Sequence, residues 1–361
     1  MMHPITIPAS FHYGDIWFVL AFCKLAFLKS IFFYLSVLIR PRFVSCMAIL
    51  PCVVYVDSPR ADRIRRKLLY QGSLFVFSPR ASTVALCQHA DQLIREAFGK
   101  LSPRKAQYSL PVEEYAAILG KLKPKFIHHP KSKECIQAIL NEMRCDPKKT
   151  YFDVPRMRSS TSDNYLTTGI AYAWHPHRDT WYSAPQCQLN WWIPIYDIDA
   201  EDGLAFHSRY WDTPVVNDSE IYNYYEWNKT HRAAAAQHVK EDPRPLPRPV
   251  EPVELDPQIR PVCPVGGIIL FSGAQLHSTV PNTSGETRYS IDFRTVDVDD
   301  VAAKRGAPNI DSACTGTSLR DFLRATDFSR VPEEVVSLYN DGTEGTGDLV
   351  YRPDDPNVSS H

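Results

Sequence analysis

Residues 165–198, "YLTTGIAYAWHPHRDTWYSAPQCQLNWWIPIYDI", decide how this chain is read. Aromatic and β-branched residues crowd "YLTTGIAYAW", and "CQLNWWIPIYDI" reads as another strand, so extended backbone is expected on both sides of His175-Pro176-His177-Arg178-Asp179. Residues two apart on a strand point to the same side. His177 and Asp179 would then share a face, and His277, a hundred residues on, would complete a 2-His-1-carboxylate set that leaves metal coordination positions open, as a mononuclear iron site needs.

The spacing alone is weak, because the chain holds a second His-x-Asp. His89-Ala90-Asp91 lies in "STVALCQHADQLIREAF", where Val84, Leu86, Ala90, Leu93, Ile94 and Phe98 recur at helical spacing. Residues two apart on a helix point about 200° apart, so that pair cannot chelate one ion. Strand context separates the two copies.

Outward from the histidines, "LHSTVPNTSGETRYS" (276–290) places the turn formers Asn282 and Thr283 midway between His277 and Arg288. A hairpin there would set His277 and Arg288 opposite each other on adjacent strands. Beyond it, Arg288, Ser290, Asp292 and Arg294 would share one face, with Tyr289, Ile291 and Phe293 on the other. An arginine and a hydroxyl beside a buried metal suit a small dicarboxylate, which a planar guanidinium grips at two points. On the strand after the motif, Gln188, Asn190 and Trp192 share a face, which allows Asn190 a polar contact to such a ligand.

Bulk properties bound the alternatives. The 361 residues are 44% hydrophobic, enough for one large domain or two small ones, and the net charge of −1 leaves no electrostatic footprint for nucleic acid. A small-molecule ligand is expected. Nine cysteines with no Cys-x-x-Cys pair read as buried thiols of a reducing compartment, hence a cytoplasmic location. The amino terminus strains that picture. "IWFVLAFCKLAFLKSIFFYLSVLI" (16–39) is long enough to span a bilayer, but Lys24 and Lys29 interrupt it at about 2.5–3.5 kcal/mol each. Three readings stand: an initiator further in, at Met47; a membrane anchor or targeting segment; an apolar helix on the domain. Membrane association is therefore open.

A helix over "ADRIRRKLLYQG", a strand in "SLFVFSP" and helices at 82–99, 111–121 and 131–144 are expected first. Short strands then dominate: "TYFDVPRMRS", "TTGIAYAWHPH", "CQLNWWIPIYDI", "GIILFSGAQLHS" and "TRYSIDFRTV". The expected fold is mainly β with flanking helices around a jelly-roll, double-stranded β-helix core. An insert at 212–262 carries "IYNYYEWNKTHR" and a Pro-rich run, the composition of a lid over a site, with Tyr224, Tyr225, Trp227 and His231 as its aromatic face. "TSLRDFLRATDF" suits a short helix, and the last twenty residues are polar.

On these residues the chain resembles the iron(II)- and 2-oxoglutarate-dependent oxygenase superfamily, and within it the phytanoyl-CoA dioxygenase-like group. The resemblance runs over about residues 60–300: His177, Asp179 and His277 match the iron triad, and Arg288 with Ser290, eleven and thirteen after the distal histidine, match the "R-x-S" element that holds the co-substrate. It implies Fe(II), 2-oxoglutarate and O2, decarboxylation to succinate and CO2, and hydroxylation of a small molecule. Asp179 disfavours halogenation, since a halide would need its coordination position. "EDGLAFHSRYWD" (201–212) resembles the family's "N-G-x-L-x-x-x-P-G-S-H" segment but lacks its Pro-Gly, which leaves the substrate open. His175, Trp192, His207, Tyr225 and Trp227 are candidate substrate contacts. The implied organisation is an apolar extension at 1–56, an oxygenase domain at 57–300 and a partly disordered carboxy-terminal extension at 301–361.

Two other readings remain. A metal cupin would use His175, His177 and His277, with Gly169 six before His175, but Trp181 or Tyr182 stands where its glutamate belongs. A non-catalytic barrel would keep the fold as a binding module.

Overall fold

The computed structural model describes residues 52–167, 175–231 and 244–339. The apolar segment 16–39, Gly169 and most of the strand expected before His175, the Ala-rich part of the insert and the polar tail lie outside the described residues.

Four amphipathic helices come early: α1 (Asp62–Leu69), α2 (Ala81–Phe98), α3 (Val112–His128) and α4 (Pro130–Glu142). Each turns its apolar stripe onto one face of an eight-stranded sheet, where Leu86, Leu93, Leu119 and Ile136 are buried with Trp191, Ile193, Tyr289, Ile291 and Phe293. The sheet runs β1 (Val54–Val56), β2 (Leu74–Phe77), β7 (Ile268–Ser272), β5 (Leu189–Pro194), β9 (Arg288–Asp297), β3 (Thr150–Phe152) and β10 (Leu323–Arg324), with β4 (Arg156–Ser160) also pairing with β9. A second sheet holds β6 (Leu204–Phe206) and β8 (His277–Thr279).

The alternation expected along β9 is observed. Tyr289, Ile291 and Phe293 enter the helix-covered core, Phe293 stacking on Trp191 at 5.4 Å, while Arg288, Asp292 and Arg294 line a cavity on the other face. On that inner face Trp192, Ile269 and Phe271 bury against Leu204 and Phe206, which joins the two sheets.

The expected hairpin between His277 and Arg288 does not form. β8 pairs with β6, and β9 pairs with β5, β4 and β3, so the two strands belong to different sheets. Both edges of β9 are taken, leaving no ladder for β8. The link between them is a crossing pinned by Asn282, whose amide donates to the carbonyls of Ser160 and Glu286 at 2.8 Å each. "GIILFSGAQLHS" likewise becomes two strands, turning from one sheet to the other after Gly273, and "TYFDVPRMRS" is split around Val154-Pro155 into β3 and β4, since Pro155 has no N–H for a ladder.

The domain limits also shift. β1 falls inside the segment read as an amino-terminal extension, yet it pairs in parallel with β2. β10 pairs with β3, and Val301, Leu319 and Phe322 are buried against Tyr151 and Val296, so residues 301–339 pack as part of the same sheet. No helix among the described residues is long and apolar enough to cross a membrane.

Candidate metal centre and cavity

His177 and His277 meet as an isolated antiparallel bridge, each N–H donating to the other's carbonyl at 2.9 and 3.0 Å. Directly opposed residues of such a pair project to the same side, which sets the two rings 4.3 Å apart between centroids. Arg178 is extended at φ −111°, ψ 141°, so Asp179 returns to the face of His177 although it already opens a 3-10 turn, Asp179–Tyr182. The same-face argument therefore needs only two extended residues, and a long strand through the motif is not required. One ligand atom from each of His177, Asp179 and His277 lies within 4.8 Å of the others, and all three residues are buried.

Tautomers follow from the backbone. Nδ1 of His177 lies 3.2 Å from the carbonyl of His175, and Nδ1 of His277 lies 3.0 Å from the carbonyl of Gln275. A carbonyl only accepts, so each Nδ1 carries the proton and each Nε2 presents its lone pair. Both Nε2 atoms face Oδ1 of Asp179, at 3.5 and 4.0 Å. Oδ2 accepts from Gln188 at 3.0 Å and Asn190 at 2.8 Å and lies 3.4 Å from Nε of Arg294.

Burial alone would raise the Asp179 carboxyl, but Arg294 and the two imidazoles outweigh it and hold it well below the usual carboxylate range. Burial, then the neighbouring His177, pushes His277 down to about 4, and burial lowers His177 despite Asp179. Two neutral imidazoles and a carboxylate are the protonation states a divalent cation requires.

The triad opens into a cavity of about 640 Å3, which Trp192, Arg288 and Trp227 also line. Arg288 is buried over the Trp192 ring at 5.4 Å, and its Nη1 donates to the carbonyls of Asp202 at 2.9 Å and Gly203 at 3.3 Å, both from the segment leading into β6. It makes no ion pair with Asp292, which is taken by Arg158 at 2.6 Å. Burial pushes the Arg288 guanidinium down to about 10, and its Nε is buried with no partner.

Other candidates are placed differently. Asn190 faces the cavity, but its amide is spent on Asp179. Ser290 is buried between strands with Oγ unpartnered and does not line the cavity. His175 turns its Nε2 to the Pro247 carbonyl at 3.1 Å and stands outside the ligand group, which removes the three-histidine cupin arrangement. His207 is buried between Ser278 Oγ at 2.9 Å and the Leu255 carbonyl at 3.1 Å, bracing the small sheet and not the cavity. Tyr225 packs with Tyr222 and Tyr224 behind the lining. The second His-x-Asp sits on α2: His89 meets Ser132 Oγ at 3.2 Å, and Asp91 pairs with Arg95 at 2.7 Å.

Four contributors went unread in the sequence. Tyr182 packs edge-on against His177 at 5.6 Å, and nothing in its spacing marks it. Arg178, buried within the motif itself, is held by Asp311 at 3.0 Å and donates to the carbonyls of Ala274, Tyr210 and Thr213, tying the ligand loop to its surroundings. Lys123 and Arg158 reach the cavity from α3 and β4, where only the assembled layers could place them.

No family model matches the chain, and no curated protein matches it. Among solved structures it is similar to EvdO2 from Micromonospora carbonacea var. aurantiaca, 12% identical over 66% of this chain and 91% of that one, at a TM-score of 0.37. It is similar also to SnoN, a non-heme alpha ketoglutarate dependent epimerase from nogalamycin biosynthesis, 12% identical over 66% and 84% of the two chains, at 0.31. ThoJ, a non-heme monooxygenase, is 11% identical over 61% and 72%, at 0.31. Likeness at these TM-scores carries nothing over to this chain, whose site speaks through its own geometry.

Proposed function

We propose that this protein is an iron(II)- and 2-oxoglutarate-dependent dioxygenase that hydroxylates a small-molecule substrate, with succinate and CO2 as co-products. One observation carries the reading: three buried ligand atoms, two imidazole and one carboxylate, within 4.8 Å on a single side, at the wall of a cavity that also receives Arg288. Such a donor set, free of thiolate, suits a divalent metal with open positions.

His177, Asp179 and His277 would hold Fe(II). Gln188, Asn190 and Arg294 fix the rotation of the Asp179 carboxylate, and the Gln275 and His175 carbonyls fix the imidazoles. Arg288 would receive the distal carboxylate of 2-oxoglutarate, because its buried Nε lacks an acceptor and burial makes an anion there strongly favourable. Ser290, off the lining, is not needed for that contact. With O2, the bound iron and co-substrate supply the oxidising chemistry; the protein supplies position and a water-poor wall of Trp192, Leu204 and Phe271.

The two facing sheets are taken as a jelly-roll core of the phytanoyl-CoA dioxygenase-like kind, in an oxygenase domain that takes in β1 and residues 301–339 besides 57–300. Its lid is the insert 212–262, where α5 (Tyr224–Thr230) sets Trp227 on the cavity. A cytoplasmic location belongs to the same proposal, on the cysteine pattern.

Anaerobic addition of Fe(II) and 2-oxoglutarate should raise the visible charge-transfer band of a chelated 2-oxo acid. No band in the parent protein, or an undiminished band in His177→Ala, sinks the reading.

A further inference from the structure

The cavity is unevenly charged. Among the described lining residues six are cationic, Lys or Arg, and four are carboxylates. Fe(II) and dianionic 2-oxoglutarate would cancel each other, so the positive surplus persists when both are bound.

Ion pairs occupy three of the four carboxylates. Asp153 is taken by Arg156 and Arg294, Asp179 by Arg294, and Asp292 by Arg158 at two points, 2.6 and 3.2 Å. Lys123 reaches the same stretch of wall from α3, beside Arg158 and Asp292. In the ladder, Asn190 on β5 stands opposite Arg294 on β9, and β4 lies on the far side of β9, with Arg158 opposite Ser290. Arg158 thus lies two strand spacings, ~10 Å, across the sheet from β5, and four residues along β9 from the row of Asn190 and Arg294.

We propose that the substrate carries an anionic group, a carboxylate or a phosphate, that docks against Lys123 and Arg158 while its oxidised carbon faces the triad. The proposal rests on the oxygenase reading for the roles of the triad and Arg288. Arg158 is suited to the task because Asp292 locks its planar guanidinium by Nε and Nη2. Lys123 supplies an adaptable point charge. Burial, and then Arg158, pushes its ammonium down to about 7, and an anion arriving beside it would reverse that shift.

The test is calorimetric titration of phenyl phosphate, hydrocinnamate and the neutral hydrocinnamyl alcohol into the full chain without iron or 2-oxoglutarate. At least one anion should bind and the alcohol should bind far more weakly. Lys123→Met and Lys123→Gln should lose on the order of tenfold in affinity, and Lys123→Arg should keep it. Arg288→Met should retain anion binding. The preferred anion distinguishes phosphate from carboxylate. Equal binding of alcohol and anions, no binding of either anion by the parent, unchanged affinity in both neutral Lys123 variants, or loss in Arg288→Met alone would each overturn the proposal. Because no iron is added, failure of the oxygenase reading leaves these outcomes interpretable.

Discussion

Asp179 divides its labour between two oxygens: Oδ1 faces both imidazoles, and Oδ2 is held by Gln188, Asn190 and Arg294. Partners of this kind set ligand orientation, so Asn190→Ala should weaken Mn(II) binding, followed by electron paramagnetic resonance, by about 10–100-fold with little change in melting temperature. An equal loss of both would make Asn190 a packing residue only. His89 shows the opposite use of a histidine. Burial, then His129, pushes it down to about 4, whereas an unfolded histidine titrates near 6.5. The unfolded state therefore binds more protons between those values, so stability must fall as pH drops from about 6.5 to 4. His89→Gln, which can still meet Ser132, should show a smaller drop in melting temperature over that interval.

At the scale of elements, the site depends on a corner. β7 leaves the large sheet after Ser272, Gly273 turns the chain, and β8 begins at His277 in the small sheet. Gly273 accepts from the Asp179 N–H at 2.8 Å, and an added Cβ would stand 3.2 Å from Nε2 of Gln188 and 3.4 Å from Cβ of Asp179. Gly273→Ala should therefore displace Gln188 by a few tenths of an ångström and reduce metal affinity more than it reduces stability. Titration of Mn(II) beside a thermal melt checks this. β9 is the other decisive element, because its period of two puts its aromatics under the helices and its arginines in the cavity.

For the whole molecule, the segment after β9 completes the large sheet. Leu319 is fully buried there, and Leu319→Ala should cost about 2–5 kcal/mol in urea unfolding while leaving the 2-oxo acid band intact. Removing residues 301–339 would uncover β3 and the buried faces of Tyr151 and Val296. The insert packs against that same segment, Asn223 forming a parallel bridge with Thr315. Trp227 lines the cavity under Arg244, 5.3 Å above its ring, so Trp227→Ala should raise KM for substrate with little effect on iron and 2-oxoglutarate binding. Equal KM values in the two proteins would remove the lid role.

The sequence by itself determined which residues alternate and which recur at helical spacing, because those periods are local properties of the backbone. That was enough to pair His177 with Asp179, to dismiss His89 and Asp91, and to place Arg288 and Arg294 on one face of β9. Tertiary structure alone decided that β8 and β9 part into two sheets, since strand partnership depends on which edges are already occupied. It also decided that His175 and His207 turn to the carbonyls of Pro247 and Leu255, and that Lys123 meets Arg158 across layers. Contacts between residues distant in the chain follow from packing against a third element, and no spacing within one segment encodes them.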